Sequence, residues 1–492
     1  MGQQDLSPSP LHNSRKAELL LLLLFLLSLP LLNPWVRGDG VGYYAFARAL
    51  LIQHDLNFDQ DYQRANASFR EARLNENGVP KDSFRTQTGH LENHFSIGPA
   101  ILWSPFLIAA HVGVLIARAL GSQVAADGFS PPYRDAMAVA TALYGFLGLL
   151  LSFRLAKKYV SERSALIATI TIWWASSLPV YMYFNPSWSH AQSAFTVALF
   201  LTYWHKTRDA RSYSQWLILA LLAGLMLNVY YANAMILLVL AVEAFRQYVA
   251  AFRDSADINT PSVLQLLARH VSFWIVVLVC LTPTFLIKHI IYGSSSESGY
   301  IPLKYWAWKS PYFFSVLFST NHGLFSWTPI LLISILGLFL FVRRNLFVGL
   351  PLIAAVLGFY YFIASYPDWA GISSFGNRFF VSLTLIFILG LAVIIDRLEK
   401  SFTNPKTSLA IVSTFAFCFI LWNAGIIFQW GSHLIPTRGT FPYSQLVRNQ
   451  FQAVPRQLST QLNSYFFHRK ALMNQIEQRD MQQMKNADPL QE

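Results

Sequence analysis

The chain has 492 residues, of which 54% are hydrophobic, 15% aromatic and only 13% charged. A soluble protein carries about 25% charged residues, so an ordinary soluble domain is excluded, and apolar runs near the roughly 20 residues that cross a bilayer recur along the chain. The formal net charge of +12 does not mark a nucleic-acid binder, because Lys and Arg sit mostly in short loops between apolar runs, where they orient a membrane chain.

The runs lack the alternation of barrel strands, and the expected fold is an all-α polytopic membrane protein. Cys280 and Cys418 both lie inside apolar segments, which points to neither a disulfide framework nor a thiolate metal site. The first predicted membrane helix is 17–35. It ends in "LNPWVRGDG" without a small-x-small cleavage site, so it reads as an anchor, not a signal peptide. Arg37 and Asp39 follow at once, in "RGDGVGYY" with Tyr43 and Tyr44. Asp39 precedes a predicted helix, "GYYAFARALLIQ", and two readings stand side by side: a helix N-cap or a reacting group held at the membrane surface.

Next comes "HDLNFDQDY", with Asp55, Asp59 and Asp61. Clustered Asp residues form solvated Asx turns, or bind carbohydrate or a hard cation through their oxygens. No EF-hand pattern is present, so a metal at Asp59 and Asp61 is the lesser reading. The sequon at Asn66 reads as chance. His90, Glu92 and His94 alternate as a strand does and lack the helical HExxH spacing. His94 is expected to donate a hydrogen bond to a phosphate instead.

Further membrane helices are predicted at 136–156, 165–184, 191–205, 214–229, 231–249, 271–291, 326–342, 346–365, 379–396 and 409–429. With the first, this makes about 11 crossings. The apolar stretch 96–118 is ambiguous, and loop charge decides it. The basic connections hold Arg154, Lys157, Lys158 and Arg163; Lys206, Arg208 and Arg211; Arg343 and Arg344; and Arg397, Lys400 and Lys406. All of them, and Arg15 and Lys16 before the first helix, should face the cytoplasm. They do so together only if 96–118 does not cross. Pro99, Pro105 and His111 suit a broken, re-entrant helix. The competing topology has twelve crossings and an outer N-terminus.

On the preferred topology the N-terminus is cytoplasmic. The outer face collects the loops 36–135, "NPSWSH" with Trp188 and His190, "VYYAN", 292–325 with His322, and "YPDWAGISSFGNR" with Asp368, Trp369 and Arg378. The polar tail 431–492 also lies outside and reads as a weakly ordered amphipathic segment. Aromatic belts account for some tryptophans, and snorkelling can account for Arg378. A guanidinium there can also grip a phosphate in a bidentate pair. Tryptophan beside His, Asn and Asp is what a sugar-binding surface needs: ring faces for the pyranose and polar tips for its hydroxyls. Residues 1–430 are read as one membrane domain, with 36–135 as its first loop.

The layout resembles the GT-C superfamily of polyprenyl-phosphate-sugar-dependent glycosyltransferases, in particular bacterial relatives of protein O-mannosyltransferases and of the lipid A aminoarabinose transferase. The resemblance rests on "RGDGVGYYAFARALL", "HFSIGPAILWSPF", "NHGLFSWTPILLISILGLF" and "WAGISSFGNRFFVSLTLIFILGLA". It covers most of 20–430. It implies transfer of a sugar from a polyprenyl-phosphate donor to a glycan, lipid or protein acceptor; the short loops and the lack of a targeting signal point to a bacterial inner membrane. Asp39 is then the general base. Arg378 and His94 stabilise the departing phosphate. Arg37, Tyr43, Tyr44, Asp59, Asp61, His190, His322, Asp368 and Trp369 are the further expected contacts to donor or acceptor. The glycines beside Asp39 would let substrate approach the backbone. A divalent metal is compatible but not required, and no nucleic-acid partner is implied. In one respect the sequence departs from the family: the usual Asp-Glu pair of the first loop has Gly40 in the second position. The alternatives are a transporter or lipid flippase, which would want paired ionisable groups at mid-membrane, and a scaffold without chemistry.

Overall fold

A computed structural model describes residues 14–253, 261–297 and 299–486; the first 13 residues and the end of the tail lie outside the described residues. The apolar runs named above are helical over most of their length. In chain order the main helices are α1 (Ser14–Ser28), α2 (Asp39–Arg48), α3 (Gly98–Ala119), α4 (Pro131–Ala156), α5 (Glu162–Trp174), α6 (His190–Thr207), α7 (Tyr213–Val229), α8 (Leu238–Arg253), α9 (Val263–Tyr292), α10 (Ile330–Arg344), α11 (Leu346–Ser365), α12 (Thr384–Ser401), α13 (Pro405–Gly431), α14 (Tyr443–Phe467) and α15 (Arg469–Asn486). The fold is all-α, polytopic and membrane-embedded.

Polar residues fix the helix starts at the basic end of the bundle. Ser161, Ser212, Ser262, Asn345 and Asn404 each accept a backbone N–H of the helix that follows, which satisfies donors that lipid cannot. The same end is pinned by ion pairs: Glu18 with Arg154 at 2.7 Å, Glu399 with Arg163 at 2.7 Å, Asp396 with Lys400 at 2.8 Å and Glu243 with Arg211 at 3.0 Å. The carboxylates a transporter would keep at mid-depth are therefore held at helix ends by cations.

Seven helices among the described residues are long and apolar enough to cross a bilayer: six of the eleven expected spans, and the segment 98–119. Two of the other five expected spans are interrupted. The expected span 165–184 is broken after Trp174 and resumes as one π turn, Val180–Phe184. The expected span 326–342 starts as a separate turn, Leu324–Trp327, because Pro329 cannot continue a helix through its missing N–H. Segment 96–118 was expected to be broken. Instead α3 runs 22 residues with Pro105 inside it, about 33 Å at 1.5 Å per residue. Yet both its ends meet the first-loop layer or its neighbours. Ser96, just before it, bonds the Val229 carbonyl; beyond its far end Asp127 pairs with Arg64 at 2.7 Å and the Gly128 carbonyl accepts from Tyr44.

The loops expected on the outer face do gather at the end of the bundle opposite the basic one. Thr88 bonds the Ile291 carbonyl at the end of α9, and Trp188 bonds the Arg37 carbonyl. α12 is almost wholly buried, and the turn that opens it, Arg378–Leu383, delivers Arg378 to this end. The tail differs most from expectation. It forms two helices that dock on the end of the first apolar run and on the first loop: Tyr465 bonds the Leu31 carbonyl at 2.6 Å and Lys485 pairs with Glu71 at 3.1 Å.

Within the first loop, Asp61 is buried against Arg48, whose Nε lies 2.7 Å from Oδ1. Breaking such a pair leaves an uncompensated buried charge. Arg48→Met is therefore expected to lose about 3–5 kcal/mol of stability, read as a lowered thermal midpoint in detergent. A change within error would show that water reaches Asp61.

Candidate active site

One cavity of about 1180 Å³ opens at the loop-rich end and extends between α13 and the tail. Its polar part is lined by Arg37, Asp39, Tyr43, His94, His190, Asp368 and Arg378, all of them singled out from the sequence. Its apolar part is lined by Ile420, Ala424, Ile427 and Phe428 on one face of α13, and by Leu458, Leu462 and Tyr465 on one face of α14. The spacing of three and four puts each set on a single helical stripe.

Asp39 opens α2, but it is not the cap. Gly38 holds the N-cap position and makes no side-chain bond there. The Asp39 carboxylate turns into the cavity instead. Its Oδ2 lies 2.8 Å from Arg378 Nη1, an ion-pair contact whose angle falls short of hydrogen-bond geometry. Arg378 is buried, with its guanidinium 4.4 Å above the Trp188 ring. Such stacking suits a planar, weakly hydrated cation. Among the described residues Arg378 Nε has no hydrogen-bond partner. A buried guanidinium with unused donors at a cavity wall is poised for an anion.

The glycines on either side of Asp39 let the chain pack closely on Trp188 and Ser187. Gly38 has φ +52°, which a side chain resists, and a Cβ there would lie 3.1 Å from the Trp188 ring. At Gly40 a Cβ would lie 2.0 Å from Ser187 Oγ. No second acid fits at position 40, because α2 packs directly on the 185–189 turn.

Around the pair stand several rings. His190 lies among Tyr181 and Tyr230, with centroids at 4.7 and 5.7 Å, and its Nδ1 has no partner among the described residues. Tyr43 accepts a bond from Ser189 at 3.0 Å, and burial raises its hydroxyl pKa, so it stays protonated. His94 packs on Phe95 and Tyr300, with centroids at 4.1 and 4.7 Å. Burial, ahead of the nearby cations, lowers its pKa from 6.5 to about 4, although Asp39 opposes the shift. His94 is therefore neutral at pH 7 and offers a single N–H. The folded state resists a proton that the unfolded chain takes up. Its contribution to stability is thus complete above pH 6.5 and lost as pH falls towards 4. His94→Gln should flatten that part of the stability profile, measured by thermal melts between pH 4.5 and 7.5; an unchanged slope would mean His94 titrates normally.

Five expected contacts lie outside the cavity. Asp59 pairs with Arg85 at 2.7 Å and Asp61 with Arg48. Tyr44 spends its hydroxyl on the Gly128 carbonyl at 2.6 Å. His322 is buried with φ +60° and faces the Thr437 carbonyl at 3.1 Å, where it fastens the 432–438 turn. Trp369 packs against Tyr312 with centroids 6.2 Å apart. No group of three or more His, Cys, Asp and Glu side chains converges among the described residues.

The tail supplies cavity residues that sequence reasoning missed. Asp480 on α15 accepts from Arg37 and lies 2.8 Å from His433 Nε2. Burial raises its pKa, but His433 and Arg37 outweigh that and hold it below the ordinary value. The available signal was an acid on an otherwise apolar stripe, Leu472, Ile476, Asp480, in a segment that reads as polar, amphipathic and weakly ordered.

The arrangement defines a polytopic membrane protein with one charged cavity that continues into an apolar groove. No protein-family model matches the sequence, and no curated protein matches it. Among solved structures it is similar to the archaeal oligosaccharyltransferase AglB of Archaeoglobus fulgidus, solved in complex with an inhibitory peptide and a dolichol-phosphate. The TM-score is 0.51 at 13% identity, over 88% of this chain and 61% of AglB. The chain thus spans about three fifths of that protein's length. ArnT of Cupriavidus metallidurans in the apo state gives a TM-score of 0.44 at 13% identity, over 88% of this chain and 73% of ArnT. At this identity the likeness to AglB shows a shared fold.

Proposed function

We propose that this protein is a glycosyltransferase that moves a sugar from a polyprenyl-phosphate donor to an acceptor hydroxyl at the outer face of a cell's inner membrane, with its N-terminus cytoplasmic. The observation that carries the reading is the contact between Asp39 and Arg378, where a charged cavity meets an apolar groove. An isoprenoid chain suits the stripes of α13 and α14, and its phosphate suits Arg378. The dolichol-phosphate bound by AglB is a ligand of the same kind.

Arg378 neutralises Asp39. A donor phosphate competes for the guanidinium and leaves the carboxylate free to face the acceptor. The acceptor oxygen attacks the anomeric carbon, and its proton passes to Asp39. The bond from that carbon to the phosphate oxygen breaks, and its electron pair stays on the phosphate beside Arg378. A phosphate is a weak base, so departure requires no separate acid. Tyr230 and Phe379 line the same cavity and offer ring surface to the sugar.

The test is sugar release. Purified protein in lipid nanodiscs is offered a panel of radiolabelled polyprenyl-phosphate sugars with candidate acceptors. Label in acceptor or water is expected for one donor class. Binding of donors with no release from any of them would transfer the cavity to the flippase reading.

A further inference from the structure

The first loop carries Asp39, yet much of what holds that stretch comes from the other end of the chain. We infer that Glu477 and Asp480, on the last helix, are positioning residues for Asp39; the inference rests on the transferase reading for its catalytic consequence but not for its structural one. Asp480 accepts from the Arg37 side chain, and Glu477 Oε1 lies 3.7 Å from the same guanidinium. Glu477 also accepts from Asn66 Nδ2 at 2.9 Å and from the Ser68 backbone N–H at 2.8 Å. Asn66 in turn accepts from the Gly38 N–H at 3.1 Å. The residues on either side of the Arg37–Gly38 peptide are thus each tied to α15, one directly and one through Asn66.

The tie continues into the site. The Arg37 carbonyl accepts from Trp188 Nε1 at 2.9 Å and from the Gly40 N–H at 2.9 Å. The Trp188 ring carries the Arg378 guanidinium. Moving Arg37 therefore moves the first turn of α2 and the platform under Arg378 together. Both acids are largely buried, with side chains 8% and 10% exposed, so neither contact is a loose surface pair. A rotation of one turn end by an ångström is enough to misplace a general base.

The experiment compares the full chain with Glu477→Ala, Asp480→Asn and their double variant in nanodiscs. Lys485→Ala is the control, since it cuts a tail contact to Glu71 that does not reach Arg37. Amide hydrogen exchange is read by mass spectrometry over 36–44 and over 443–486. The double variant should speed exchange at Gly38 and Gly40 about ten-fold or more and leave the control unchanged there. Donor turnover should fall with the Michaelis constant nearly constant, and Asp480→Glu should restore most of the loss. Unchanged exchange over 36–44 overturns the inference, and so does faster exchange spread evenly along the tail, which would mean undocking. Faster exchange at Gly38 and Gly40 in a protein that releases no sugar would remove the transferase reading and leave the positioning intact.

Discussion

Asp39→Asn should lower sugar transfer by about 100- to 10,000-fold, the range a positioned general base contributes, while donor binding holds or tightens. The direction of the second effect follows from the contact with Arg378. In the wild type a donor phosphate must displace the carboxylate 2.8 Å from Nη1. Asparagine keeps the shape and loses the competing charge. It cannot take the acceptor's proton. Asp39 is about 30% exposed on its side chain, so solvent moderates the charge and the gain in affinity should be small. Single-turnover release of labelled sugar gives the first quantity, and titration with unlabelled polyprenyl phosphate gives the second. Turnover within three-fold of wild type would return Asp39 to a structural role, and weaker phosphate binding would show that the carboxylate does not compete for Arg378.

The parts of this reading that the sequence makes visible are those that lipid forces into the open. A helix in hydrocarbon satisfies its own backbone and shows an apolar run, so each predicted run is helical over most of its length. Interruptions at 175–179 and 328–329 are less visible, because Ser and Pro are tolerated where neighbouring helices cover them. Arg37, Asp39, His190 and Arg378 reach one cavity because the turns that carry them share one end of the bundle. Asp59 and Asp61 look like a site in the sequence, and in the fold each is paired with a cation. Their partners Arg85 and Arg48 lie on other elements, and a cluster of acids in sequence says nothing about the cations folded onto it. The tail is the opposite case. Asp480 sits 443 positions from Arg37, and no periodicity reports a contact of that range. The amphipathic stripes of α14 and α15 are legible; the surface they cover is not.

Replacement of Arg378 should test the pair from its other side. Arg378→Lys keeps the charge but loses the planar fork and the flat face over Trp188. The expected loss in kcat/KM is about 100- to 1000-fold, comparable with removal of one donor aimed at a developing oxyanion, with a rise in KM that Asp39→Asn does not share. Arg378→Gln should lose more, and it leaves Asp39 without its counter-charge. That cost is tempered by the exposure of the carboxylate, so the fold should survive. The decisive comparison is the double variant Asp39→Asn, Arg378→Gln. Groups that act as a unit give strongly non-additive losses, since neither base nor phosphate clamp serves without the other. The double variant should then fall no further than the worse single one, in the same release assay. Losses that multiply across the two positions would mean that the carboxylate and the guanidinium serve separate steps, and the exchange of Arg378 from Asp39 to the phosphate would have to be given up.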